Sequence, residues 1–270
     1  MPILGIDYEK CINCGTCLLA CGTPEAHYKR DEEQDKIIFE DSEYGCNQCG
    51  QCIAQCPEDA ILYDMGESFT FEHIENPEKI IPYETFFNFL VANRSVRRYK
   101  KEKVPKEILN KVILAMSRAP TGANMRSETF TVVSNPQKIK ELSDAVVEAF
   151  KSGPSLGADM SEDMEKLGNL YESPVYYDAP HVIIVSSQLS MMMEGNNMGI
   201  IVTYGRLAAQ ALGLGTCWSG WTQIALHFNP KIKKIAKIRG KAFVAFTIGY
   251  PDADYHRIPP RPMNKVRFIE

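Results

Sequence analysis

Eight of the nine cysteines in this 270-residue chain fall into one spacing and its repeat. Cys11, Cys14, Cys17 and Cys21 read C-x2-C-x2-C-x3-C. Cys46, Cys49, Cys52 and Cys56 repeat that spacing, and Pro57 follows. Thiolates in such runs hold iron–sulfur clusters, and in the two-cluster pattern the fourth cysteine of each run crosses to the other cluster. The spacing therefore predicts one [4Fe–4S] cluster on Cys11, Cys14, Cys17 and Cys56, and a second on Cys46, Cys49, Cys52 and Cys21. Each centre moves one electron, so the chain is expected to handle electrons. Paired C-x2-C units also bind zinc, but a third cysteine at the same spacing and a fourth after x3 argue against it. Disulfides would need an oxidising compartment, which nothing in the sequence suggests. Cys217, in GLGTCW, reads as a small buried hydrophobe.

Residues 1–65 resemble bacterial-type two-cluster ferredoxins along their whole length. Their halves are an internal repeat, CINCGTCLLAC against CNQCGQCIAQC. Gly22 stands where that family usually has proline. Ala60 and Ile61 are expected to pack against the clusters, and KIIFE (36–40) to form a strand of a short hairpin. Residues 66–82 lack a clear period and contain Pro77 and Pro82, so they read as a linker. Residues 83–270 then form the second domain.

That domain alternates helix and strand signals, which predicts a layered sheet with helices. Apolar residues at 108, 109, 112, 113 and 116 have helical spacing. Asn135–Pro136 and Asn229–Pro230 look like N-cap and first-turn pairs. Residues 197–213 read as a long, largely buried helix stopped by Gly213 and Gly215. Strand candidates are 129–134, 181–187, 216–221, 242–250 and 266–269.

Four stretches of residues 83–270 together resemble the nitroreductase family of FMN flavoproteins. The first is NRSVRRY (93–99). The resemblance implies that Arg94, Ser95 and Arg97 contact the FMN phosphate, ribityl chain and flavin O2 edge, with Asn93 departing from a common arginine. A phosphate monoester favours bidentate arginine and hydroxyl donors. The second is APTGAN (119–124), where Pro120, Thr121 and Asn124 match and Arg126 replaces the usual glutamine. A charge at Arg126 near flavin N1 and O2 would raise the flavin potential. The third is ALGLGTCWSGW (211–221), in which main-chain N–H groups of Ser219 and Gly220 are expected at flavin N5 and O4. The fourth is IGYPDADYHRIPPRP (248–262), with Arg261 expected at the phosphate. The implied fold is α+β: a small ferredoxin-like domain, then an α/β/α layered domain with a central, mostly antiparallel sheet.

The implied function is an FMN-dependent reductase. Its own two [4Fe–4S] clusters load the flavin, and the flavin reduces a small organic acceptor of nitroaromatic, quinone or enone type. Reductive dehalogenation, and an electron-transfer or redox-sensing role toward a protein partner, are the alternatives. The resemblance also implies a homodimer with FMN at the subunit interface. Electrons are expected from a ferredoxin-like protein or from NAD(P)H. No side chain is assigned a catalytic role: the five histidines are scattered and nothing supplies an evident proton donor. Residues 151–178 and 191–197 are expected to form a lid over the flavin, with Met191, Met192 and Met193 as lining or core.

Bulk properties narrow the field. Hydrophobic residues make up 44% and charged residues 24%, ordinary for a globular protein. Residues 1–65 hold 13 Asp and Glu against four Lys and Arg, a net of −9 in a chain of −4, which leaves +5 for the rest. No basic stripe with interleaved aromatics suggests nucleic acid. No G-x-G-x-x-G or G-x4-G-K-[ST] occurs. No apolar run approaches the roughly 20 residues of a membrane span, and MPILGIDYEK lacks a signal-peptide pattern. A cytoplasmic location is expected.

Overall fold

The computed structural model describes residues 3–23, 27–41, 45–64, 72–152, 165–189 and 192–270. They divide into two compact units: Met1–Ile80 with Ala123–Met125, and Ile81–Gly122 with Arg126–Glu270.

In the first unit the sequence repeat becomes a conformational repeat. Helix α1 (Thr16–Ala20) follows Gly15 at φ 76°, and α2 (Gln51–Ala54) follows Gly50 at φ 75°. Asn13 and Gln48, two residues earlier, are also left-handed. The sharp turns so formed suit short cysteine loops, and successive N–H groups in such turns form anion-binding concavities used by Fe–S sites. Strand β1 (Ile3–Ile6) pairs with β4 (Ile61–Tyr63), and β2 (Tyr28–Asp31) with β3 (Lys36–Phe39), each antiparallel. The second pair is the hairpin expected around KIIFE. Asn13 braces it by accepting from the Ile37 N–H at 3.0 Å. Ile3, Ile6, Tyr28, Ile37, Ile53 and Ile61 form the small core.

The second unit is built on one four-stranded sheet in the order β5 (Glu128–Val133), β6 (His181–Ser187), β8 (Ala242–Gly249), β7 (Gly215–Trp218). Every pairing is antiparallel. Helices cover both faces. On one lie α6 (Pro136–Ser152), α8 (Gly220–Phe228) and α9 (Pro230–Ala236), packed on Val182, Ile184, Phe243 and Ala245. On the other lie α5 (Lys106–Ser117) and α7 (Glu194–Ala211), packed on Ile183, Val185, Val244 and Phe246. A sheet buried on both faces needs apolar residues at every position, which is why VIIV and AFVAF are continuous runs. Asn135 accepts from the Lys138 N–H and Asn229 from the Lys231 N–H, both at 3.0 Å, so both expected caps form.

Some local expectations differ. The segment 216–221 is not all strand: β7 ends at Trp218 and α8 starts at Gly220. Residues 266–269 form no strand, because nothing covers them: Phe268 is 84% exposed. β-propensity reflects packing on a half-buried surface, and no such surface exists there. Helix α4 (Tyr83–Val91) was not expected. Part of the expected linker is the short helix α3 (Pro77–Ile80), while residues 66–71 lie outside the described residues. So do 153–164, 190 and 191, which include much of the expected lid and Met191.

Candidate functional site

The cysteines sort into two groups. Cys11, Cys14, Cys17 and Cys56 line one cavity, walled by Ile6, Ile12, Ile37, Ala60 and Ile61. Cys21, Cys46, Cys49 and Cys52 line another, with His27 and Tyr28. Each cavity takes three thiols from one run and the fourth from the other. Main-chain N–H groups already point at sulfur: Ala60 donates to Cys56 Sγ at 3.3 Å and Gln48 to Cys46 Sγ at 3.4 Å. Among the described residues no three His, Cys, Asp or Glu side chains close on an ion-sized point. The thiols instead surround a volume, as ligands of a polynuclear centre do. Burial pushes the Cys17 thiol up to about 11 and raises Cys46 and Cys52. Exposed Cys14 is lowered by its hydrogen bond with Thr16.

In the second unit, the segment 93–99 lies along β7. Ser95 forms a parallel bridge with Thr216, and the Val96 N–H donates to Thr216 O at 2.9 Å. Tyr99 anchors the far end, its hydroxyl 2.7 Å from both Val96 O and Thr247 Oγ1. Gly215 permits this approach. A Cβ there would fall 2.6 Å from Val96 Cγ2 and 2.7 Å from its Cβ. We expect Gly215→Ala to cost about 1–3 kcal/mol, as overpacking does, and to loosen segment 93–99. Urea unfolding and proteolysis near Arg97 check this.

Docking on β7 places Ser95 and Arg97 beside the buried Cys217 thiol, together with Arg206 of α7. Burial raises Cys217, so it stays neutral. Arg206 donates from Nε to Thr216 Oγ1 at 3.1 Å. Burial lowers its pKa, and among the described residues no carboxylate pairs with it. A half-buried guanidinium without a counterion is a natural anion ligand. Sequence reading missed Arg206, although a charge inside the apolar run 197–213 was a visible signal. Asn93, one turn of α7 away, donates to Gln210 Oε1 at 2.5 Å, and Gln210 Nε2 donates to Phe89 O at 2.7 Å. The position where arginine is common is thus tied to α7, which carries Arg206.

Other expected residues are more dispersed. The Ser219 N–H donates to Ala245 O at 2.8 Å and is committed to the sheet. The Gly220 N–H, opening α8, keeps no protein partner among the described residues, so of the two only Gly220 offers a free amide. Thr121 Oγ1 accepts from the Arg126 N–H at 3.2 Å, and both line a cavity of about 100 Å³ with Glu128, Met116 and Phe130. Pro120 is exposed at its edge of the sequence. Asn124 belongs to the first unit and donates to Asn47 O and Gln48 O, both at 3.0 Å. Arg94 is half-buried, and Arg261 is exposed in a stretch without helix or strand.

Beside that cavity lies a buried acidic group. Glu194 is 1% exposed and accepts from Ser127 Oγ at 3.0 Å. Glu194 Oε2, Glu128 Oε1 and Asn197 Nδ2 are buried without partners among the described residues. Burial raises the Glu128 pKa, and the Glu194 carboxylate adds to it. The folded state therefore holds this proton more firmly than the unfolded chain. That contribution to stability is largest below the ordinary carboxyl range and is lost as pH rises through the raised value. Glu128→Gln should stabilise the protein at neutral pH by about 1 kcal/mol and lose that advantage in acid. Thermal melts at two pH values check it.

Residues 90–250 match the family model described as "Nitroreductase family". The chain belongs to the nitroreductase family. As a member it is an oxidoreductase. Residues 10–61 match a second model, "4Fe-4S dicluster domain". Iodotyrosine deiodinase 1 of Sus scrofa is 25% identical over 236 residues, covering 79% of this chain and 80% of that protein. An FMN-bound nitroreductase from Bacteroides fragilis has TM-score 0.58 at 22% identity, over 68% of this chain and 98% of that one. An iodotyrosine deiodinase structure bound to FMN and 3-iodo-L-tyrosine has TM-score 0.51 at 21% identity, again over 68% and 98%. The expected fold class is therefore the observed one. No helix among the described residues is long and apolar enough to cross a membrane.

Proposed function

We propose that this chain is an FMN-dependent reductase fed by its own iron–sulfur clusters, with a cluster domain over 1–65, a linker over 66–82 and a flavin domain over 83–270. The carrying observation is the sorting of eight cysteines into two four-thiol cavities with crossed fourth ligands, in a chain of the nitroreductase family. Cys11, Cys14, Cys17 and Cys56 hold one cluster; Cys21, Cys46, Cys49 and Cys52 hold the other. Arg94, Ser95 and Arg97 bind FMN, joined by Arg206 at its phosphate. Pro120, Thr121, Asn124 and Arg126 border it, the Gly220 amide serves its N5 edge, and Arg261 is a further phosphate ligand from the tail. When bound, FMN accepts electrons singly or in pairs, which matches one-electron clusters to a two-electron acceptor.

The working form is a homodimer with FMN at the interface. Support comes from exposed apolar side chains on α4, including Tyr83, Phe86, Phe87 and Leu90, and on the tail, including Met263, Phe268 and Ile269. Exposed apolar patches of this kind mark interfaces. Size exclusion should give twice the chain mass, and Phe87→Lys with Phe268→Lys should shift it toward monomer and release FMN.

The acceptor is a small organic molecule. The similarity to iodotyrosine deiodinases favours, as a second reading, reductive removal of halide from a halogenated phenol. That reaction takes two electrons and a proton and releases halide. Anaerobic turnover of a nitroaromatic, a quinone and a halophenol by reduced protein separates the two. Halide release supports the second, and turnover of the others alone supports the first.

A further inference from the structure

The two cysteine cavities differ in what faces the sulfur. The first is walled by isoleucines and Ala60. The second contains the two buried polar side chains of the first unit that lack hydrogen-bond partners among the described residues: the Tyr28 hydroxyl and His27 Nδ1. Tyr28 is 2% exposed and His27 5% exposed. The Tyr28 hydroxyl lies against the Cys52 thiol without an ordinary hydrogen bond to it. Burial drives its pKa far above the usual phenol range, so it remains an O–H donor at every working pH. Orphaned buried donors are costly unless an acceptor arrives. The sulfurs of a cluster on Cys21, Cys46, Cys49 and Cys52 would be that acceptor.

Reliance on the proposed function is explicit: the inference assumes that both clusters are present. We infer that the cluster held by Cys21, Cys46, Cys49 and Cys52 has the higher reduction potential, because Tyr28 and His27 donate hydrogen bonds to its sulfur, and that electrons pass from the other cluster to it.

Adding an electron makes a cluster more negative, so donors aimed at sulfur stabilise the reduced form and raise the potential. Hydrogen bonds to a charged acceptor in a low-dielectric setting are the stronger kind. Donors common to both cavities cancel in part: Ala60 N–H and the Thr16 hydroxyl on the first side, Gln48 N–H and the Thr23 hydroxyl on the second. Asp41 opposes the effect. Its carboxylate stands 3.5 Å from His27 Nδ1 and accepts from the Cys46 N–H at 2.9 Å. Its side chain is 60% exposed, however, so water and salt screen its charge, while Tyr28 is sealed from both. Glu58 places a carboxylate at the rim of the first cavity, which lowers that side as well. One electron crosses at a time, oxidising the first cluster and reducing the second, with no bond made or broken.

The test is an anaerobic redox titration of the full chain followed by EPR. Wild type should show two cluster midpoints. Tyr28→Phe should lower only the higher one, shifting the cluster-to-cluster equilibrium by about threefold to tenfold, where tenfold is ~59 mV for one electron. His27→Leu should shift the same midpoint in the same direction, and serves if Tyr28→Phe fails to retain iron. Unchanged midpoints in both variants, or a shift of the lower midpoint, would overturn the inference. Wild-type protein lacking eight-iron stoichiometry or cluster EPR signals would instead overturn the proposed function on which it rests.

Discussion

Cys52→Ala strips one cluster and leaves the other. Cys52 lies on α2 and is buried against Tyr28 at the floor of the second cavity. A thiol whose pKa is raised by burial gives up its proton only to a strong competitor, and iron is that competitor. Alanine offers nothing in its place. Iron per chain should fall from about eight atoms to about four, with sulfide falling in parallel. FMN should stay bound, because its ligands lie in residues 83–270. Turnover driven by a low-potential protein donor should drop on the order of 100-fold or more. Cys217→Ala is the matched control. Its thiol is buried beside Ser95, Arg97 and Arg206, remote in sequence from both runs, and iron content should not change. Equal iron in Cys52→Ala and wild type would remove the ligand assignment.

The second large effect falls on FMN affinity. Arg206→Leu should weaken FMN binding about tenfold to a hundredfold, the loss of one hydrogen-bonded charge of about 1.5–3 kcal/mol. Arg97→Leu should act similarly, and Arg261→Leu less, because Arg261 is exposed. A structural role for Arg206 predicts something different. If it only braced Thr216, its loss would destabilise FMN-free protein as much as the holoprotein. As an anion ligand without a protein counterion, it should leave the FMN-free melting temperature unchanged or raised. Fluorescence titration of FMN into the cofactor-free chain, beside thermal melts with and without FMN, separates these outcomes.

The cluster unit was legible because its chemistry is local. Eight cysteines and two glycines at fixed offsets state the ligands and the left-handed turns directly, and Gly15 and Gly50 adopt the same φ within a degree. The sheet was legible for a related reason. Strands buried on both faces cannot carry polar residues, so 181–187 and 242–249 stand out as runs. Arg206 was not legible in the same way. Its significance depends on β7 bringing Thr216, and with it Ser95, beside a helix that reads as plain core. The Ser219 amide failed as a flavin donor because it is committed to Ala245 O, a pairing set by sheet register that no local motif reports. Strand propensity at 266–269 misled because it measures fit to a packed surface, and this tail has none within its own chain.

The claim that cluster electrons reach the flavin inside one chain is tested most directly by reductive titration of anaerobically purified protein. The account predicts uptake of about four electrons per chain, one on each cluster and two on FMN, with both chromophores bleaching under a donor that reduces only clusters. Protein that contains FMN but takes up only two electrons, or whose flavin stays oxidised while its clusters are reduced, would contradict it.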